Sequence, residues 1–264
     1  MVATNRIEVK KTYKLFINGA FPRSESGRVF EVHSKKGEFI ANPCLASRKD
    51  LRDSVTAARA AQHGWAKATA YNRGQILYRI AEMLEGRAEQ CAAEISATTA
   101  VTPLKAQSMV SEAIDRWVWY AGWSDKLSAV TGATNPVAGP YYNFTIPEPL
   151  GVVVVTASDS FIDFIDAIAA AVVSGNSVIA LVDGGLSVPA MTFAEVLATS
   201  DLPAGVINIL TGSLDELAPW AASHMDVDGF DISAIGKKKR TELKVAGAEN
   251  LKRIYIADGK LTPS

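Results

Sequence analysis

Asp159, Asp163 and Asp166 form a carboxylate cluster near the start of a predicted helix that follows a strand. Such a group either supplies an acid–base pair or complements the positive end of a helix, and its place in the first turns of a predicted helix favours the second. The run Lys237-Lys238-Lys239-Arg240 is the basic counterpart. It reads as a solvated helix face, with an anion site at that helix start as the sharper alternative. Cys44 and Cys91 with His33, His63 and His224 are too few and too scattered for a metal-ligand spacing, which excludes a structural zinc site of the usual kind. Either cysteine as a nucleophile is the weaker reading. Cys44 ends a predicted strand near the N-terminus and Cys91 sits in a helix opening at Asn72, neither at the mouth of a crevice, where packing is the usual role.

The chain that must position these groups has 264 residues, 48% hydrophobic and 21% charged, with 27 basic and 28 acidic side chains and a formal net charge of −1. This composition suits a globular α/β chain with a sizeable core and rules out collagen-like, disordered and disulfide-scaffold classes. Near-neutral charge gives no broad footprint for a nucleic acid or an anionic membrane. Residues 1–14 carry Arg6, Glu8, Lys10 and Lys11 without an apolar core, so no secretory leader is expected. The longest apolar run, 167–173, falls far short of the roughly 20 residues that span a bilayer. A reduced, cytoplasmic protein is the expectation.

Two hairpins open the chain: residues 14–17 and 20–22 flank Asn18-Gly19, and 29–32 with 39–41 flank 34–38. Three helices follow. Ser47 and Asp50 make a capping box for one that runs to about Trp65. Asn72 opens a second through Ile76, Ile80, Leu84 and Ala88. Thr102-Pro103 starts a third through Met109, Ile114, Trp117 and Ala121. Trp117, Trp119, Tyr120 and Trp123 on the last helix read as helix packing rather than ligand stacking.

From Gly151 the pattern alternates. Strands are predicted at 152–156, 177–182, 205–210, 227–232 and 251–256, with helices at 161–173, 188–199, 214–223 and 237–246 between them. Continuous apolar strands with helical crossovers predict a doubly wound, Rossmann-like parallel α/β sheet behind an N-terminal helical layer. Its crevice is expected at the strands' carboxyl ends, near 157–160, 183–185 and 233–236. Residues 141–147, Tyr-Tyr-Asn-Phe-Thr-Ile-Pro, lie outside this alternation and read as an arm of a protruding ribbon or an edge strand needing cover.

Several segments, in order, are similar to those of the aldehyde dehydrogenase superfamily. They are Leu15-Phe16-Ile17-Asn18-Gly19, Gly64-Trp65-Ala66, Tyr120-Ala121-Gly122-Trp123-Ser124-Asp125-Lys126, Glu148-Pro149-Leu150-Gly151-Val152, Gly175-Asn176-Ser177-Val178 and Leu202-Pro203-Ala204-Gly205-Val206-Ile207-Asn208. The run Thr199-Ser200-Asp201-Leu202-Pro203-Ala204-Gly205 with His224-Met225-Asp226-Val227-Asp228 resembles the truncated, non-catalytic second half of the superfamily's double-length, sixteenth family.

The departures from the superfamily pattern carry the functional expectation. Ser160 stands where the resemblance implies an asparagine whose amide binds the oxyanion. Leu181-Val182-Asp183-Gly184 replaces the Lys-Pro-Ser-Glu segment that holds the adenine ribose of NAD. Ala234-Ile235-Gly236-Lys237-Lys238-Lys239 replaces the glycine-rich helix start at the pyrophosphate, leaving Gly236 and Lys237 as the remaining attraction for an anion. Ile256, within Ile256-Ala257-Asp258-Gly259-Lys260, takes the place of the general-base glutamate. The family's nucleophilic cysteine belongs to a second α/β domain beyond Ser264.

The resemblance therefore implies a catalytically incompetent subunit: helical layer over residues 1–140, oligomerisation arm over 141–150 and sheet over 151–264. Its degenerate cofactor positions are Ser160, Gly184, Gly236 and Lys237, with NAD as the cofactor if any is bound. Its expected partner is a full-length NAD-dependent aldehyde dehydrogenase or a second copy, met through Tyr141, Tyr142, Phe144 and Ile146. The rival expectation is an NAD(P)-binding oxidoreductase component.

Overall fold

The computed structural model describes residues 9–257. The first eight residues, Asp258-Gly259-Lys260 and the chain end, all invoked above, lie outside the described residues.

The Asn18-Gly19 turn forms as its residue types dictate, both at positive φ (52° and 72°), with Ile17 and Ala20 exchanging backbone hydrogen bonds. Strands β1 (Val32–His33) and β2 (Phe39–Ala41) pair antiparallel. The capping box at Ser47 is complete, and helix α1 (Arg48–Lys67) runs two residues past the predicted end.

Helix α2 (Ala70–Glu85) starts earlier than Asn72, because the Thr69 hydroxyl accepts the Asn72 N–H as its cap. It also stops earlier. Gly86 is its C-cap and a new helix, α3 (Ala88–Thr98), carries Ala88 and Cys91, correcting the single long helix expected there. The continuing apolar spacing masks the break. Helix α4 (Pro103–Trp123) starts on its Thr102 cap with proline at the first helical position. A short helix, α5 (Leu127–Thr131), leads into a ribbon of β3 (Ala133–Thr134) and β4 (Phe144–Thr145), antiparallel and exposed throughout.

The sheet is built from β5 (Val152–Ala157), β6 (Ser177–Val182), β7 (Ile207–Thr211), β8 (Gly229–Asp231) and β9 (Arg253–Tyr255), in the order β7-β6-β5-β8-β9 and parallel throughout. Helices α6 (Phe161–Val173), α7 (Ser187–Leu197), α8 (Leu214–Ser223) and α9 (Lys237–Ala248) connect the strands. The last three strands are shorter than their apolar runs because turns take the flanks; Leu251, for instance, has φ 58°.

Two apolar cores flank the sheet. Val155, Ala157, Val178 and Ala180 pack with α2, α3, α4, α6 and α7, and Trp65 reaches across to donate to the Val172 carbonyl at 2.9 Å. Trp117, fully buried, stacks on Phe193 with ring centroids 5.8 Å apart, as packing predicts. Val154, Ile179, Leu181 and Phe230 face α1, α8 and α9. The N-terminal hairpin closes one edge, where Phe16 and Ile209 exchange hydrogen bonds of 2.9 and 2.8 Å, so β7 presents no bare edge at that point.

Candidate functional site

The strand order locates the site. The chain moves outward through β5, β6 and β7, then returns to place β8 on the other side of β5. The reversal makes a switch point between β5 and β8, the position where doubly wound sheets open a crevice at their carboxyl ends. A cavity of about 620 Å³ lies there, walled by Ser158, Asp159 and Ser160 after β5 and by Ser233 and Ala234 after β8. It continues along α6 over the face of β8 and β9.

The two lips are tied together. The Thr156 hydroxyl donates to the Asp231 carbonyl at 2.9 Å and accepts the Ala234 N–H at 3.3 Å, while Ser233 Oγ accepts the Ala257 N–H at 2.8 Å. The Asp231 carboxylate accepts the Ser233 N–H at 2.8 Å and the Ser233 hydroxyl. Burial pushes the Asp231 carboxyl above its ordinary value, and these two bonds pull the other way.

Of the sequence-selected residues, Ser160 lines this cavity, whereas Gly184, Gly236 and Lys237 do not. Ser160 is the N-cap of α6, its hydroxyl oxygen accepting the Asp163 N–H at 3.2 Å. Gly184 adopts φ 61° and opens a 3-10 turn over Gly184–Leu186. Gly236 is the N-cap of α9, which has no side-chain cap there, and Lys237 and Lys238 are exposed beside it. The rest of the basic run is engaged. Lys239 pairs with Asp215 at 2.7 Å, linking α9 to α8, and Arg240 turns back onto the carbonyls of Ile235 and Ser233 at 2.8 and 2.7 Å.

Asp183, in sequence only one member of the replaced Leu181-Val182-Asp183-Gly184 segment, has a structural role of its own. At the end of β6 its Oδ1 accepts the Gly184 N–H at 2.7 Å and its Oδ2 the Leu214 N–H at 3.2 Å, so one carboxylate holds two helical starts. An aspartate directly after an apolar strand and before Gly-Gly was the available signal. Leu181, two residues earlier, is fully buried in the core under α8.

The aspartate cluster divides. Asp159 accepts the Ser158 hydroxyl at 2.9 Å and Asp163 sits in the first turn of α6, both exposed, as dipole complementation predicts. Asp166 is different: it is 5% exposed, and its Oδ2 lies 3.6 Å from Arg116 Nη1. Its Oδ1 finds no hydrogen-bond donor among the described residues. Burial raises its carboxyl to about 6 despite Arg116, which pulls it down. Tyr120, facing Asp166, is pushed up to about 12, chiefly by burial.

Both cysteines are buried and unpaired. Burial pushes the Cys91 thiol up, leaving it unactivated. Cys44 sits nearer the sheet's carboxyl edge than its place in the chain suggests, its carbonyl accepting the Thr211 hydroxyl at 2.6 Å. Its side chain is nonetheless packed in the core beside α8. Among the described residues no group of His, Cys, Asp and Glu could hold a metal ion, and no helix is long and apolar enough to cross a membrane.

Comparison with known proteins gives this architecture a family. The model of the aldehyde dehydrogenase family matches residues 21–259. Retinal dehydrogenase 2 of Gallus gallus is 31% identical over 268 residues, which cover 99% of this chain and 51% of that protein. Cytosolic 10-formyltetrahydrofolate dehydrogenase of Xenopus tropicalis is 31% identical over 269 residues, covering 98% of this chain and 30% of that protein. Among solved structures, the NAD+ complex of aldehyde dehydrogenase from Bacillus cereus superposes with a TM-score of 0.85 at 25% identity, over 92% of this chain and 50% of that one. The NAD-dependent aldehyde dehydrogenase of Sinorhizobium meliloti gives the same TM-score and identity over 93% and 49%. The chain thus spans about half the length of these structures. With its parallel sheet, its switch point between β5 and β8 and a family match over residues 21–259, the chain belongs to the aldehyde dehydrogenase family and carries that family's NAD-binding fold.

Proposed function

We propose that this chain is a structural or regulatory subunit of the aldehyde dehydrogenase family that does no hydride-transfer chemistry of its own and acts by joining a catalytic, NAD-dependent aldehyde dehydrogenase or a second copy. The observation that carries this reading is the occupation of the sheet's carboxyl ends by structural bonds. Ser160 spends its hydroxyl oxygen as a helix cap and can offer no amide to an oxyanion. Leu181, at the position of the family's ribose lysine, is in the core, and the Asp183 carboxylate already fills the N–H groups of Gly184 and Leu214. Ile256 has no proton to take or give.

These residues do not fit NAD well. The side chain of Ile235 is buried at the helix start where a pyrophosphate needs close backbone approach, and the Lys239–Asp215 bridge spans α8 and α9 beside it. The physical basis for association is the exposed ribbon: Tyr141, Tyr142, Phe144 and Ile146, in and beside β4, are 75%, 78%, 53% and 63% exposed, and among the described residues β4 pairs only with β3. A cytoplasmic setting belongs to the same proposal, in keeping with two unpaired cysteines.

One observation favours a second reading, an NAD(P)-binding oxidoreductase component. The N-terminus of α9 at Gly236 has no side-chain cap and is flanked by exposed Lys237 and Lys238, an arrangement that attracts anions. Calorimetric titration with NAD and NADP separates the two. The leading reading expects no binding heat at millimolar cofactor, together with co-elution of the chain with the full-length aldehyde dehydrogenase of its own source or as a homo-oligomer. A saturable heat and a lone monomer would establish the second.

A further inference from the structure

Asn18-Gly19 is the only Asn-Gly pair in the chain, and nothing in the association proposed above uses it. Glycine has no Cβ, so its backbone nitrogen has the least hindered approach to the side chain that precedes it. An asparagine in that place is open to attack at Cγ by the next backbone nitrogen. Both residues stand exposed at the tip of the N-terminal hairpin, with φ 52° and 72°.

The surroundings leave both reacting groups free. Among the described residues, the Asn18 carboxamide makes no hydrogen bond and the Gly19 N–H donates to no acceptor. The tip is held by its flanks instead: Ile17 and Ala20 exchange two bonds of 3.0 Å, and the Asn18 N–H donates to Asn208 Oδ1 at 2.9 Å. An exposed turn with so few ties opens locally at small cost. Asn176, which precedes the small Ser177, shows the opposite arrangement. It is 7% exposed, its Oδ1 accepts the Gly151 N–H at 2.8 Å, and its Nδ2 donates to the Ala171 carbonyl at 3.0 Å and to Ser174 Oγ at 2.9 Å.

We propose that Asn18 is a self-modification site that converts to aspartate and isoaspartate and in doing so loosens the hairpin covering the edge of β7. The Gly19 nitrogen bonds to Asn18 Cγ, the Cγ–Nδ2 bond breaks, and Nδ2 leaves as ammonia with the Gly19 amide proton. Water then opens the five-membered imide without any change of oxidation state. Attack at Cγ gives aspartate, and attack at the Asn18 backbone carbonyl carbon gives isoaspartate. Isoaspartate places an extra methylene in the backbone of a two-residue turn, whose length sets the register of its strands. The bonds between Ile17 and Ala20 are then out of register, and the segment that seats Phe16 on Ile209 loses its return arm.

The test is incubation of the intact native chain at mildly alkaline pH, followed by trypsin cleavage and mass spectrometry. Cleavage after Lys14 and Arg23 releases residues 15–23 as one peptide. The expected result is a mass gain of one water less one ammonia in this peptide, divided between aspartyl and isoaspartyl products, with the fragment carrying Asn176 unchanged. Asn18→Asp, a residue type that suits the same turn, should show no gain there. In the isoaspartyl fraction, amide exchange at residues 16–20 should rise by about tenfold or more, the effect of losing two ordinary hydrogen bonds on a local opening. No gain in peptide 15–23 of the native chain, an equally fast gain at Asn176, or exchange at 16–20 that matches the fresh protein overturns the proposal.

Discussion

The Asp183 carboxylate accepts the Leu214 amide at 3.2 Å and thereby ties the end of β6 to the first residue of α8. The same group holds the Gly184 amide at 2.7 Å, so removing it strands two backbone donors at once. Asp183→Ala should lower stability by about 1–2 kcal/mol, the scale of a lost helix cap. A urea midpoint that falls with an unchanged slope checks this. A stability equal to wild type would mean the clamp is idle.

Asp166 makes a pH prediction of definite sign. Its carboxyl is raised from 3.8 to about 6 in the fold, so between those values the folded chain binds more protons than the unfolded one. Stability from this group is full at low pH, is lost as pH rises from about 4 to 6, and stays lost above. Asp166→Asn should remove that slope and raise stability at neutral pH by about 1–3 kcal/mol, following the linkage between a shifted carboxyl and folding. Thermal unfolding of both proteins across this window is the measurement.

Gly151 has φ 133°, and a methyl group there would overlap the Asp228 carboxylate. That carboxylate accepts Arg59 at 2.6 Å and the Val152 amide at 2.7 Å, which leaves it no room to withdraw. Gly151→Ala should cost roughly 3 kcal/mol or more through combined backbone strain and a broken, partly buried network. Its soluble yield and melting temperature should both fall, whereas Gly27→Ala, at φ 68° with open space around it, should suffer only the backbone strain.

In the ribbon, Tyr142 and Phe144 have ring centroids 5.3 Å apart and both face solvent. Tyr142→Ser with Phe144→Ser should leave the unfolding free energy of the isolated chain within about 0.5 kcal/mol of wild type, as exposed substitutions do. Light scattering should show loss of self-association, or of binding to the catalytic partner. An assembly state identical to wild type would move the interface elsewhere.

Lys252 is 7% exposed, and its Nζ donates to the His224 carbonyl at 2.9 Å and to the Val227 carbonyl, pinning the turn between α8 and β8. Lys252→Met keeps the length and loses both bonds, which should cost about 1–3 kcal/mol, the penalty for buried acceptors left unpaired. Faster amide exchange confined to residues 224–228 would be the local signature.

Much of this molecule is written in local chemistry. Asn18-Gly19 can only turn, Ser47 with Asp50 caps a helix from within its own first turn, and β-branched runs such as Val152-Val153-Val154-Val155 read as buried parallel strands. The break after Gly86 was not readable, because Gly86 caps α2 in a helical conformation and the apolar spacing continues across it.

The sequence by itself determined the order of elements, the parallel sheet and the positions where family chemistry is replaced, because propensity, caps and residue identity are local quantities. Only the tertiary structure decided what the replacing residues do. Burial and hydrogen-bond partnership depend on neighbours far away in the chain: Asp183 meets Leu214, Asp166 meets Arg116, and Phe16 meets Ile209. A carboxylate that reads as helix-start charge in the chain became, once buried 3.6 Å from a guanidinium, an acid whose carboxyl burial raises to about 6.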